Sequence, residues 1–252
     1  MARIISIINQ KGGVGKSTTA EALLAGLTLK GYKTLAVDLD AQGNLTYATG
    51  ANSQGATSLG VLAREVDAGD AIQHTPSGDI IPSNKALAGA DAFITDTGKE
   101  YRLREALESV ASEYDYIIID TPPALSILTI NALTASNSVI IPAQADIYSL
   151  QGIEQLAETI QPVKRYCNPT LSIEGILLTR YSKRSILGQE VAGLARQIAQ
   201  RLNTKVFDTT IREAIAIKEA QISQQSLFSY APKAPVTEDY RAFIEEVIGK
   251  GE

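Results

Sequence analysis

Apolar residues gather in short runs along the chain: Arg3–Ile8, Thr34–Leu39, Tyr116–Ile119, Val139–Ile141 and Ile173–Leu178, each bounded by polar or turn residues. The runs are rich in Ile, Val and Leu and do not alternate with polar positions. That is the pattern of strands covered on both faces, as in a parallel sheet. Between the runs the apolar spacing changes to steps of three and four. In Ser185–Leu202 the residues Leu187, Val191, Leu194, Ala195, Ile198 and Leu202 fall on one helical face, with Ser185 as N-cap. Tyr240, Phe243, Ile244, Val247 and Ile248 repeat the spacing behind Thr237. Strands alternating with helices over the whole length predict one α/β domain spanning residues 1–252, doubly wound, with a mostly parallel sheet flanked by helices. Residues 41–58, small and polar, are expected to form a mobile loop.

A chain of 252 residues with 44% apolar content can bury a sizeable core without staples. One cysteine, Cys167, excludes an intramolecular disulfide framework and a four-cysteine metal site. One histidine, His74, leaves little room for histidine-based triad or metal chemistry. The first residues carry no cleavable leader pattern, and no apolar run approaches the about 20 residues of a membrane span, so a cytoplasmic protein is expected. The net charge of −5 is unevenly placed. Residues 1–160 hold 10 Lys/Arg against 18 Asp/Glu, and residues 161–252 hold 13 against 10, so any basic face draws on the C-terminal third.

The densest chemical signal follows the first strand: Asn9-Gln10-Lys11-Gly12-Gly13-Val14-Gly15-Lys16-Ser17-Thr18-Thr19, and then a helix rich in Ala and Leu from Thr18 to about Lys30. Strand, glycine-rich turn and helix form a phosphate-binding loop. Glycines let backbone N–H groups converge on an anion, and the helix N-terminus adds partial positive charge. Lys16 is placed to reach the β- and γ-phosphates, and the Ser17 hydroxyl suits magnesium. Gln10 stands where the general loop has its first glycine, and a second lysine, Lys11, follows it. A dinucleotide fingerprint is excluded, because Thr18 occupies the position of its third glycine.

With these residues in place the chain resembles the ParA/MinD group of ATPases, P-loop NTPases of the deviant Walker A type. Lys11–Thr18 is similar to that group's phosphate loop, Val37–Asn44 to its second motif, and Ile117–Pro123 to its Walker B strand and following loop. The likeness runs on through Val139–Pro142 and Gly175–Thr179 to the last helix. It implies ATP and magnesium as cofactors, with residues Lys11–Thr18 cradling the phosphates. It implies that Asp40 orients the attacking water, that Asp38 supports the magnesium shell beside Ser17, and that Asp120 holds a magnesium-bound water. Lys11 is expected to contact the nucleotide of a second copy, so that ATP makes a homodimer. Residues 40–46 and 120–125 are candidate switch segments.

Within the group, members that handle iron–sulfur clusters need closely spaced cysteines, which are absent here, and the ten tyrosines are dispersed rather than clustered at the C-terminus. The last segment, Glu238–Glu252, carries five acids against two bases, unlike the basic membrane helix of MinD-like members. The resemblance therefore favours the ParA side: plasmid or chromosome partition, DNA bound without sequence preference in a nucleoid-associated state, and a ParB-like partner that stimulates hydrolysis, with no membrane. The same engine positioning a protein cargo over the nucleoid, or a MinD-like division regulator, are the alternatives. DNA contact requires Lys/Arg on phosphates. The expected residues are Lys183, Arg184, Arg212 and Lys218, extended by Arg196 and Arg201. Where group members carry Ile-Pro-Arg-Asn, this chain has Ile211-Arg212-Glu213-Ala214. Larger members carry a helix-turn-helix segment ahead of the first strand. Here the expectation is that there is none.

Overall fold

The computed structural model describes residues 2–182 and 184–249. Its strands are β1 (Arg3–Ile7), β2 (Thr34–Asp38), β3 (Gln73–Thr75), β4 (Gly78–Ile81), β5 (Tyr116–Asp120), β6 (Ser138–Gln144) and β7 (Ser172–Thr179). They form one sheet in the order β3-β4-β2-β5-β1-β6-β7. Every neighbouring pair is parallel except β3 with β4, a hairpin at one edge. The helices, in chain order, are α1 (Lys16–Leu29), α2 (Asn44–Ala48), α3 (Ser58–Ala63), α4 (Ala90–Phe93), α5 (Arg102–Glu108), α6 (Ile127–Ala135), α7 (Ile147–Tyr166), α8 (Ile186–Arg201), α9 (Ile215–Ile222), α10 (Leu227–Tyr230) and α11 (Pro235–Ile248).

Both sheet faces are covered, which is why the central strands are apolar at successive positions. On one face α1 and α11 bury Ile5, Ile7, Ile118, Ile140 and Leu177 under Leu23, Leu27, Phe243 and Ile244. On the other, Val37, Ile117 and Ile119 pack with Leu103, Leu107 and Ala132 of α5 and α6. Val139, Ile141, Ile176 and Leu178 pack with Ile153, Leu156, Val191 and Ile198 of α7 and α8. The exposed side of β7 is capped by parallel bridges from Ile176 to Val206 and from Thr179 to Ile211.

The doubly wound parallel sheet and the five principal strands agree with the pattern of apolar runs. Ser185 caps α8 as expected, accepting a hydrogen bond from the Gly188 N–H. One local expectation is corrected and two local features were not foreseen. Residues 41–58 contain α2 and lead into α3, because Asp38 and Ser83 bind that segment by polar contacts that leave no apolar period. The β3–β4 hairpin is too short and too polar to stand out as a strand pair. Thr237 lies inside α11, whose cap is Ala234 with Pro235 in the first turn, and its hydroxyl donates to the Ala231 carbonyl.

The sheet register sets the site. Parallel pairing places Ile7 of β1 opposite Asp120 of β5, and Asp120 opposite Asp38 of β2. The phosphate loop leaves β1 at this level. Two carboxylates and the loop therefore share the carboxyl edge of adjacent strands, where open α/β sheets bind ligands.

Candidate functional site

Glycine is required at two loop positions. Gly13 (φ 75°) and Gly15 (φ 92°) are left-handed, and Gly15 forms the N-cap of α1. The loop is braced from two strands, β6 and β7. Asn9, fully buried, donates from Nδ2 to the Pro142 carbonyl at 2.7 Å and accepts the Lys11 N–H at 2.9 Å. Thr179 Oγ1 donates to the Val14 carbonyl at 2.8 Å, and Gln144 Nε2 to the Gly13 carbonyl at 3.2 Å. A cleft of about 500 Å³ opens over the loop. Gly12, Gly13, Gly15, Lys16, Ser17 and Thr18 line one wall of it, with Asp40.

The two lysines are placed differently. Lys16 is 7% exposed, lines the cleft and folds its Nζ over the loop, 3.2 Å from the Lys11 carbonyl. Burial lowers its ammonium pKa against the attraction of Asp120 and Asp40. Lys11 does not line the cleft. Its Nζ donates to both oxygens of Asp146, at 2.8 and 2.7 Å, and to Ser149 Oγ at 3.3 Å. Asp146 is also the N-cap of α7, accepting the Ser149 N–H. Burial pushes the Asp146 carboxyl up, but Lys11 and Ser149 outweigh it and hold it below its ordinary value.

The three acids have three environments. Asp38 is fully buried and its carboxylate is engaged: Oδ1 accepts the Asp40 N–H, and Oδ2 accepts both the N–H and the hydroxyl of Thr46. Burial lifts its pKa to about 6 despite those hydrogen bonds. Asp38 thus organises residues 40–46 rather than presenting free oxygens. Asp40 lies in the cleft wall, with Oδ1 on the Gln42 N–H and its carbonyl on the Ser83 hydroxyl. Asp120 is fully buried, and neither of its carboxylate oxygens has a hydrogen-bond partner. Burial and then the charge of Asp38 raise its pKa well above normal, while the nearby Ser17 hydroxyl and Lys16 favour ionisation less strongly.

A buried, orphaned carboxylate at the foot of a phosphate loop tests the fit of a hydrated magnesium ion. Beyond the nearby Ser17 hydroxyl, Asp120 needs donors of the kind that water, a cation or a proton supplies. Magnesium keeps several waters and takes few protein oxygens beside phosphates. Ser17 and Asp120 fit that requirement, and Asp38 would act on the ion only through its neighbours.

Arg212 lines one cleft with Lys218 and another with Arg184, but carboxylates engage part of the expected nucleic-acid set. Arg212 is bidentate to Asp239, with Nε at 2.6 Å from Oδ2 and a terminal nitrogen at 2.7 Å from Oδ1. Arg201 pairs with Glu154 at 2.7 Å. Arg184 is exposed in a cleft that also holds Asp208, Glu213, Glu238 and Asp239, and Arg196 is exposed on α8. Lys218 lines the cleft over the phosphate loop. Lys183 lies outside the described residues. Sequence reasoning missed Asn9, Thr46 and Asp146, which act through contacts 8 to 135 residues away in sequence. Only Asp146, a capping residue type just after a strand, left a signal.

Among the described residues no helix is long and apolar enough to cross a membrane. Residues 2–173 match a family described as an AAA domain. The sporulation initiation inhibitor protein Soj of Bacillus subtilis is 40% identical over all of both chains. The chromosome partitioning protein ParA of Caulobacter vibrioides is 36% identical over 98% of this chain and 94% of its own. A crystal structure named cobyrinic acid a,c-diamide synthase, from Mycobacterium smegmatis with bound ATP analogue and magnesium, superposes with a TM-score of 0.85 at 32% identity, covering 98% of this chain and 95% of that one.

Proposed function

Because this chain belongs to the Soj/ParA family of partition ATPases, we propose that ATP on its phosphate loop joins two copies into a dimer that holds DNA without sequence preference, and that a ParB-like partner ends the cycle by stimulating hydrolysis. The whole of residues 1–252 acts as one ATPase domain at the nucleoid, in the cytoplasm. The observation that carries this reading is the opposite placement of the two lysines. Lys16 serves the cleft of its own protomer, while Lys11 stands outside that cleft on Asp146. An ammonium beside a phosphate site, yet not lining it, suits the nucleotide of a facing copy.

Phosphoryl transfer to water is catalysed mainly by positioning and by stabilising charge. Gly12–Thr18 and Lys16 would hold the β- and γ-phosphates, with the first N–H groups of α1 contributing. Asp40, in the cleft wall, orients the attacking water. Ser17 would hold the magnesium and Asp120 a water bound to it, and the ion would supply charge neutralisation at the phosphates. Lys11 from the facing copy adds the charge needed as the bond to the γ-phosphoryl loosens. Asp38 positions Asp40 and Thr46 rather than touching the reacting atoms.

Sedimentation velocity with a non-hydrolysable ATP analogue tests the premise. The expected result is a dimer at micromolar protein with the analogue, a monomer with ADP, and a monomer throughout for Lys11→Ala. A wild-type chain that binds the analogue yet stays monomeric would overturn the reading. The dimer is expected to be retained on plasmid DNA in low salt and released as salt rises, as phosphate contacts require.

A further inference from the structure

Four buried residues around Asp40 form a closed ring of hydrogen bonds. Asp38 Oδ1 accepts the Asp40 N–H at 3.0 Å. The Asp40 carbonyl accepts the Ser83 hydroxyl, and the Ser83 N–H donates to Thr46 Oγ1 at 2.9 Å. The Thr46 hydroxyl donates to Asp38 Oδ2 at 2.7 Å and closes the ring. The members range from fully buried to 7% exposed. Asp38 ends β2, Asp40 follows two residues on, and Thr46 lies in α2. Ser83 is the remote member, just past the end of β4 and 43 residues from Asp40.

The ring grips the backbone of Asp40 on both sides, its N–H on Asp38 and its carbonyl on Ser83. A second tie reinforces it: the Ser58 N–H donates to the Pro82 carbonyl at 2.8 Å, and the Ser58 hydroxyl to the Asp38 carbonyl at 2.7 Å. The Asp40 carboxylate itself is held lightly. Among the described residues it accepts one hydrogen bond, from the Gln42 N–H at 3.0 Å, and it lines the cleft over the phosphate loop. A side chain this short points where its backbone aims it. An acid that orients a water must keep that water in line with the reacting phosphorus, and a misplacement of about 1 Å costs on the order of a hundredfold in rate.

We propose that Ser83 is a positioning residue for hydrolysis: its hydroxyl on the Asp40 carbonyl and its N–H on Thr46 fix the aim of the Asp40 carboxylate at the attacking water. The inference rests on the ATPase reading above, in which Asp40 orients that water. Ser83 touches neither nucleotide nor water in this role. It acts on the step that consumes ATP, and leaves the phosphate loop that binds ATP untouched, because the ring shares no residue with Gly12–Thr18.

The test measures phosphate release by the full chain with ATP and magnesium, beside binding of a fluorescent non-hydrolysable ATP analogue. Ser83→Ala removes one buried oxygen and leaves the Asp40 carbonyl its bond from the Gly43 N–H at 2.9 Å, so the fold should survive. Its kcat is expected to fall about tenfold, less than a full ångström of displacement would cost, with analogue affinity unchanged. Thr46→Val opens the same ring at its other hydroxyl and should show the same split. On an Asp40→Asn background, whose turnover is already low, adding Ser83→Ala should cost nothing further, because both act through one carboxylate. An unchanged kcat in Ser83→Ala would overturn the proposal. So would a loss shared equally by kcat and analogue affinity, or a loss that recurs undiminished on the Asp40→Asn background. Full turnover in Asp40→Asn alone would instead remove the role of Asp40 beneath the proposal, so the two failures are separable.

Discussion

At the scale of single residues, the site and its surroundings show how burial sets chemistry. Glu21 lies one turn beyond Ser17 on α1, 6% exposed, with Oε1 unpartnered. Tyr240 of α11 and the amides of Gln221 and Gln225 line the same small cavity, and among the described residues no cation lines it. Burial raises the Glu21 pKa from 4.5 to about 8. The sign of its linkage follows. The folded chain keeps this proton while the unfolded chain has lost it, so stability falls as pH rises from 4.5 to about 8 and levels off above. The slope within that window is on the order of 1 kcal/mol per pH unit. Glu21→Gln keeps the shape and removes the ionisation. Its melting temperature is expected to match the wild type near the acid end of the window and to exceed it by several degrees at the alkaline end. Parallel melting profiles for the two proteins across pH would show that Glu21 does not hold its proton.

At the scale of elements, β7 and the segment that caps it depend on one close approach. A Cβ added at Gly175 would lie 2.6, 2.9 and 3.0 Å from three carbons of the Phe207 ring. That ring cannot retreat freely, because it packs edge-on against Phe243 of α11, centroids 5.0 Å apart. Gly175→Ala should therefore destabilise the fold by about 1–3 kcal/mol, the usual cost of overpacking. Urea denaturation would measure it, with an unchanged slope and a lower midpoint expected. Nothing in the apolar run Ile173–Leu178 marks Gly175 as different, since the contact comes from a residue 32 positions on. The same division runs through the whole fold. Strands buried on both faces announce themselves by unbroken Ile, Val and Leu, and α8 and α11 by their three-and-four spacing. The phosphate loop was legible as strand, glycine-rich turn and helix, because its left-handed glycines are required locally, but the placement of Lys11 on Asp146 was not. The β3–β4 hairpin and α2 are too short to show a period, and residues 40–46 are braced by polar contacts that leave none to read. The basic residues were the least legible, because a guanidinium such as Arg212 is neutralised by a carboxylate 27 residues away.

At the scale of the whole molecule, the proposed dimer would give Lys11 a second partner, the nucleotide of a facing copy, in competition with Asp146 of its own chain. Association would then have to break one such latch in each protomer. The pair is part-exposed, with side-chain exposures of 30% and 32%, so each latch is worth no more than about 1 kcal/mol after solvent screening. Asp146→Asn isolates this term. Asparagine caps a helix as well as aspartate does, so α7 keeps its N-cap, while the charge that holds Lys11 is gone. With two latches per dimer, the variant should dimerise on the ATP analogue at protein concentrations lower by a few-fold to about thirtyfold. Sedimentation across a concentration series gives the midpoint directly. A midpoint shifted to higher concentration would mean that Asp146 contributes to the dimer contact itself, and an unmoved one that Lys11 leaves its latch at no cost. The ADP-bound chain should remain monomeric with either residue, since releasing Lys11 matters only when a facing triphosphate can receive it.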